Sequence, residues 1–208
     1  MIHTPPIPDD ATVDDPLWTA RFYDLANALI LCGTKAKIVS WATGLSPKQV
    51  SDRYLRLTGK RPPLGRNGQA DPKSYARPSK RVSRTWTLQC AIYSGCYERL
   101  KAAMNKPVHK AWLLYIAYEV YLELTQPSMG RGSNRRDQIT INVAYDLISH
   151  TQSRHPTLKL HPCPDCGIRY LVLTAADLEN QNCPLCEIQK NCDHLIRTGT
   201  QAASRKYR

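Results

Sequence analysis

The sequence lacks the signatures of several protein classes. No uninterrupted apolar stretch approaches the roughly 20 residues that a membrane-spanning helix requires, and the first twenty residues hold four aspartates but no lysine or arginine. We therefore expect neither a secretory leader nor a membrane anchor, and we predict a cytoplasmic protein. The chain also has no nucleophile elbow, no H-E-x-x-H motif, no phosphate-binding loop and no deaminase-type H-x-E motif before a cysteine pair. These absences argue against an enzyme.

Acidic residues are scarce as well. The chain has 29 lysines and arginines against 17 aspartates and glutamates, which gives a formal net charge of +12 at pH 7 and a pI near 9.4. An excess of this size in 208 residues favours a polyanionic partner, most often nucleic acid, and the common alternative is a set of solvated basic faces. With 42% hydrophobic and 22% charged residues, the composition is that of a folded globular protein.

The spacing of apolar residues predicts a mainly α-helical protein. Helices are predicted near residues 17–32, within 35–57 as a pair, and near 86–100, 108–124 and 137–150, whereas a strand is favoured at 168–173. We divide the chain into a flexible acidic arm (1–16), a helical domain (17–155), a small cysteine-rich module (156–195) and a basic tail (196–208).

The segment after the first predicted helix has the pattern of a helix-turn-helix pair. One helix ends at Gly44, and Ser46 and Pro47 form the N-cap and first turn of the next. In a DNA-binding pair the second helix lies in the major groove, and any helical hairpin with a glycine turn has a similar sequence. The side chains predicted on the exposed face of the second helix, as candidate DNA contacts, are Lys48, Gln49 and Arg53.

From Arg53 to Arg84 the chain is basic and rich in turn-forming residues. It holds ten lysines and arginines, and its only acidic residue is Asp71. Long loops are uncommon unless they are functional, so we predict that these cations contact phosphates rather than solvent alone, while Tyr75 either stacks or anchors the loop. The candidate DNA contacts in this segment are Lys60, Arg61, Arg66, Lys73, Arg77, Lys80, Arg81 and Arg84.

Two later segments have the apolar residues of core helices. An apolar stripe at intervals of four and three runs along residues 86–100, and residues 108–124 are strongly apolar. The isolated cysteines Cys32, Cys90 and Cys96 are predicted to be buried thiols rather than ligands. The apolar content of the helices that carry Trp86 and Trp112 exceeds what a small body needs, so one of their faces is predicted to meet a partner subunit.

The strongest local signal is a pair of C-x2-C motifs. Cys163 and Cys166 are followed, after sixteen residues, by Cys183 and Cys186, a separation typical of a four-thiolate zinc site. We predict one structural Zn²⁺ on a ribbon-like module, because four thiolates leave no open position for catalysis. A dithiol redox centre and an iron–sulfur cluster are the competing interpretations. The nearby alternative ligands are His161, Cys192 and His194.

This order of features resembles the FlhC family of transcriptional activators. The residues that carry the resemblance are Gly44-Leu45-Ser46 between two helices, Tyr54-Leu55 with Gly59 and Pro62-Pro63, the Trp86 helix, and the four cysteines of the C-x2-C motifs. It extends from about Leu17 to Cys186, and its most specific element is the spacing of the cysteines.

The resemblance implies a helical body with a C-terminal zinc-binding module. It also implies that residues 17–155 bind double-stranded promoter DNA and a smaller FlhD-like partner in a hetero-oligomer, which recruits RNA polymerase. Relatives of this kind activate either flagellar operons or the transfer operons of conjugative elements. The acidic arm, the long basic segment Arg53 to Arg84 and the basic tail favour the second type. Two other classes stay open: a zinc-ribbon RNA-binding or adaptor protein, and a metal-dependent hydrolase.

Overall fold

The computed structural model describes residues 16–63, 71–79, 83–104, 108–125, 138–175 and 182–190, with side chains described from Ala20 onward. These residues are mainly helical, as predicted. The helices are α1 (Pro16–Leu31), α2 (Ala36–Thr43), α3 (Pro47–Thr58), α4 (Lys73–Ala76), α5 (Arg84–Ala103), α6 (Lys110–Thr125) and α7 (Ile141–Thr151), followed by the strands β1 (Leu158–Pro162) and β2 (Arg169–Leu173). Residues 184–190 form an eighth helix, α8.

Helices α1, α2 and α3 pack against one another, and their boundaries follow from local chemistry. α2 ends at Gly44, whose φ of 72° lies in the left-handed region that glycine adopts without steric cost. α3 begins with a capping box: Ser46 Oγ accepts a hydrogen bond from the Gln49 amide, and Gln49 Oε1 accepts one from the Ser46 amide. Val39, Val50 and Tyr54 are buried between these helices.

Helix α5 lies at the centre of the fold and contacts α4, α6, α7 and both strands. Its predicted apolar stripe is confirmed, since Cys90, Tyr93 and Tyr97 are buried. The Tyr93 ring meets the Tyr121 ring of α6 edge-on, with 6.1 Å between ring centroids. The apolar side chains of α5 and α6 therefore pack largely inside the protein.

The strands β1 and β2 form an antiparallel hairpin in the register Leu158↔Leu173 to Pro162↔Arg169. Leu158, Tyr170 and Val172 are buried and belong to the same continuous hydrophobic core as the helices. The hairpin contacts α4, α5 and α7. Apolar packing against the helices therefore stabilises the hairpin.

Helix α4 ties the basic segment to this core. Tyr75 is buried, and its hydroxyl donates a 2.8 Å hydrogen bond to Asp146 Oδ2 on α7. Burial, and then the hydrogen bond to Asp146, raise the pKa of Tyr75 well above its usual value. Of the two roles considered for Tyr75, the structure shows the anchoring one.

Other elements differ from the prediction in instructive ways. The last long helix begins at Ile141, with Thr140 as N-cap, rather than near Asp137. Helix α4, strand β1 and helix α8 were not predicted, because each is only four to seven residues long and is stabilised by its neighbours. Pro16 opens α1, while residues 1–15 of the acidic arm and the basic tail 196–208 lie outside the described residues.

No described helix combines the length and the apolar character that are needed to cross a membrane.

Candidate metal centre and candidate DNA contacts

The first C-x2-C motif forms the turn of the β hairpin. Cys163 directly follows β1, and its amide donates a 2.8 Å hydrogen bond to the carbonyl of Ile168. The Gly167 amide closes the turn by donating to the Cys163 carbonyl at 2.9 Å. Gly167 has a φ of 72°, so a residue with a Cβ would be strained there. This turn directs the Cys163 and Cys166 thiols towards one point.

The second C-x2-C motif opens helix α8. The Glu187 amide donates to the Cys183 carbonyl at 3.1 Å, which is the first bond of the helix, and Pro184 stands in its first turn. Cys183 and Cys186 therefore lie at the N-terminus of α8, where the amides of Cys186 and Leu185 donate to Cys183 without outweighing the effect of its burial on the pKa.

The two motifs place four sulfur atoms around one position. Cys163 Sγ lies 3.7 Å from Cys186 Sγ, and Cys166 Sγ lies 3.8 Å from Cys183 Sγ. All four sulfurs are within 4.8 Å of one another. Four thiolates about 2.3 Å from a tetrahedral ion would be separated by about 3.8 Å. The arrangement thus fits a metal ion, and the predicted four-cysteine group is confirmed as a group that could hold one.

Hydrogen bonds and burial shift the pKa values of three of the four thiols, and not all in the same direction. Hydrogen bonds from the amides of Cys166 and then Asp165 lower the pKa of the Cys163 thiol to about 7. The pKa of Cys186 is raised, first by hydrogen bonding with Cys166 and then by burial, and burial raises the pKa of Cys183. Cys163 therefore ionises before Cys183 and Cys186, and a metal ion must displace protons from those two thiols.

Helix α8 is also tied to the body by an ion pair. Arg84 Nε, at the start of α5, donates to Glu187 Oε2 at 2.9 Å, and Asn182 Nδ2 donates to Glu187 Oε1 at 3.0 Å. Arg84 was predicted to contact DNA; here its guanidinium holds the second motif against α5. Its side chain stays 47% exposed, so the pair is a positional contact rather than a large source of stability.

The alternative ligands are not part of the cysteine cluster as far as the structure describes them. His161 lies on β1 and meets Tyr170 edge-on, with 6.2 Å between ring centroids. It lines a cleft of about 470 Å³ beside the cysteines, together with Lys190. Cys192 and His194 lie outside the described residues. Of the cysteines predicted to be buried, Cys90 and Cys96 are buried, whereas Cys32 is only half-buried.

The candidate DNA contacts on α3 differ in their exposure and in the contacts that their side chains already make. Lys48 is exposed, and Gln49 is exposed but uses its side chain in the capping box. Arg53 is half-buried rather than exposed. Its Nε donates to Asn27 Oδ1 at 2.5 Å, and its guanidinium lies over the Tyr23 ring, 4.4 Å from the centroid.

The other candidate contacts are spread over several places. Lys60, Arg61 and Lys73 are exposed, whereas Arg77 is half-buried and its Nε is buried without a hydrogen-bond partner among the described residues. Arg66, Lys80 and Arg81 lie outside the described residues. Of the predicted contacts, Gln49 and Arg53 line one groove between α1 and α3.

Three residues of this groove were not singled out from the sequence. Tyr23, Asn27 and Arg56 line it with Arg53, and Glu187 at the metal centre was missed in the same way. Asn27 and Arg53 are 26 residues apart, and Arg84 and Glu187 are 103 apart. No local pattern connects residues at such separations; the only available signal was the helical phase that puts Arg53 and Arg56 on neighbouring turns.

No protein-family model matches this chain, and no curated protein matches it significantly. The resemblance to the FlhC family stays a prediction that rests on the order of sequence features.

Proposed function

We propose that this chain is a DNA-binding subunit of a transcriptional activator, stabilised by one structural zinc ion on Cys163, Cys166, Cys183 and Cys186. The observation that carries the proposal is the pairing of a closed four-thiol cluster with a net charge of +12 and exposed cations on and after α3. Following the FlhC resemblance, it acts with an FlhD-like partner upstream of promoters and recruits RNA polymerase to flagellar or conjugative-transfer operons.

Zinc is the ion that suits this donor set. Four thiolates are soft ligands that favour Zn²⁺ over Mg²⁺ or Ca²⁺, and the two C-x2-C pairs do not follow the C-x2-C-x2-C-x3-C or C-x4-C-x2-C spacing of ferredoxin clusters. Such a site holds its ligands together and leaves no position for a reacting water, so the ion is a structural cofactor. Its role here is to join the hairpin turn, which carries Cys163 and Cys166, to α8, which carries Cys186 and begins directly after Cys183.

The α2–α3 pair supports a DNA-reading role. Its three-residue connection from Gly44 to Ser46 and the packing of α1 against both helices are compatible with a helix-turn-helix unit. In such a unit the N-terminal residues of the second helix contact base edges. Lys48, the second residue of α3, is exposed and is the first candidate for that contact.

Exposed apolar side chains support a partner subunit. The large exposed hydrophobic residues of the described chain are 41–68% exposed, and they are Leu31, Trp41, Leu55, Leu57 and Leu124. They lie on α1, α2, α3 and the end of α6, whereas α5 has none. Apart from Leu57, which lines the groove between α1 and α3, these side chains offer a partner surface in addition to the one predicted on the helices that carry Trp86 and Trp112, and its burial would favour assembly.

The test is DNA binding by the full chain, with and without a candidate partner. Fluorescence anisotropy with promoter duplex DNA should show binding that weakens steeply with salt, because neutralised phosphates release counterions. Lys48→Gln should weaken it, while Lys159→Gln, an equal loss of charge on the hairpin, should not. Stronger binding to structured RNA than to duplex DNA would favour the RNA-binding alternative, and equal losses in both variants would contradict the assignment of α3.

A further inference from the structure

A groove lies between α1 and α3, away from the metal centre. It has a volume of about 330 Å³ and is lined by Tyr23, Asn27, Gln49, Asp52, Arg53, Arg56 and Leu57. One aromatic and one aliphatic side chain form apolar walls, and two arginines one helical turn apart supply positive charge. A groove of this kind suits a small anionic group rather than a large apolar ligand.

Arg53 is held in place before any ligand arrives. Asn27 fixes the guanidinium through Nε, and the ring of Tyr23 covers one of its faces. A guanidinium fixed in this way has already lost most of its side-chain freedom, so binding through it costs little further entropy.

The outward edge of Arg53 is available to a ligand. Nε is used by Asn27, whereas the two Nη groups donate to no protein atom in the described ranges, and Arg53 forms no ion pair there. Two parallel Nη–H groups match two oxygens of a phosphate. Arg53, Arg56 and Asp52 together give the groove a formal charge of +1, which balances the single charge of a phosphodiester.

We propose that this groove binds one backbone phosphate of nucleic acid. Arg53 makes the contact, Tyr23 and Asn27 are positioning residues, and Arg56 adds positive charge. The inference rests on the proposed DNA-binding function and deepens it, because it assigns one phosphate contact to one preformed site on α1 and α3.

The first experiment compares charge-conserving variants in DNA binding by the full chain. Arg53→Lys loses the stacked fork and should weaken duplex binding about threefold to tenfold. Arg56→Lys, a matched change in the same groove, should have little effect, since the Arg56 side chain has no partner to lose in the described chain. Arg53→Gln should lower the slope of log affinity against log salt by about one.

The positioning role has its own controls. Tyr23→Leu removes the ring under the guanidinium and should reproduce the loss seen with Arg53→Lys, whereas Tyr23→Phe keeps the ring and should retain wild-type affinity. Equal affinities for Arg53→Lys and Arg56→Lys, or a Tyr23→Leu variant that binds like wild type, would overturn the inference and leave the proposed function intact. So would Arg53→Lys reducing the affinity for a partner protein but not for DNA.

The second experiment is independent of DNA affinity. Inorganic phosphate is titrated into the ¹⁵N-labelled full chain while the Arg53 Nε–H signal is followed by NMR. A saturable shift in wild type and Tyr23→Phe, reduced in Tyr23→Leu, is the expected result, and no saturable shift would overturn the site. If phosphate moves this signal but the wild-type chain binds no duplex DNA, the proposed function fails while the anion site stands.

Discussion

The metal affinity of the four-cysteine centre should depend steeply on pH, with a slope that changes near pH 7. Only the thiolate form of cysteine is a metal ligand, so every thiol that is protonated without metal must release its proton on binding. The apparent binding constant then rises about tenfold per pH unit for each proton released. Acidification should weaken binding and alkali should strengthen it.

The pKa shifts of the thiols set the size of this dependence. Below the pKa of Cys163, which is about 7, protons are carried by Cys163 and by Cys183 and Cys186, whose pKa values are raised. These three thiols contribute a slope of about three decades in affinity per pH unit. Above that pKa Cys163 is already ionised, and their contribution should fall to about two decades.

The assay is competition between the full chain and a zinc indicator of known affinity, from about pH 6 to about pH 8.5, with proton release measured by calorimetry. Asp165→Asn is the matched control, because this exposed carboxylate lies between two cysteines without belonging to the four-sulfur cluster, and it should keep the slope. A total slope below one decade per pH unit would refute four-thiolate ligation.

Three further predictions concern the contacts that position the site. Tyr75→Phe should lower the free energy of unfolding by about 1.5–3 kcal/mol by removing the hydrogen bond to Asp146, and an unchanged denaturation midpoint would show that this bond does not anchor α4. Gly44→Ala should lower the free energy of unfolding by about 1–2 kcal/mol, because an alanine is strained at this positive φ. A steric clash does not contribute, since a Cβ there meets nothing within 4 Å. Gly44→Asn should recover part of that loss in the same thermal melts, and an asparagine variant no more stable than alanine would argue against strain. Glu187→Gln should speed metal transfer to a chelator severalfold, because it breaks the ion pair that holds α8. The free energy of unfolding should change by less than about 1 kcal/mol, because the partner Arg84 is half-exposed. Equal transfer rates in wild type and variant would contradict the proposed tie to α8.

The features that the sequence predicted correctly are local ones. The N-cap at Ser46, the helix end at Gly44 and the two C-x2-C motifs each depend on residues within a few positions of one another. Such contacts are encoded in short patterns, because the backbone geometry of a cap or a tight turn restricts which residues fit. The apolar stripe of α5 was equally readable, since one helix repeats its face every three or four residues.

The contacts that escaped prediction are long-range. The groove around Arg53 exists because α3 packs on α1, and Arg84 meets Glu187 only after the hairpin returns the chain to α5. Charge patterns do not tell a solvated arginine from one that stacks on a tyrosine, so Arg53 and Arg84 were grouped with freely exposed cations. Helix α4 has four residues and depends on Tyr75 reaching Asp146, a partner 71 positions away.

The most direct test of the account is X-ray absorption at the zinc edge, together with metal quantitation, on the purified full chain. We predict one zinc ion per chain with four sulfur ligands at about 2.3 Å. A chain that purifies with no bound metal, or a zinc ion with an oxygen or nitrogen ligand in place of one sulfur, would contradict the structural four-cysteine centre.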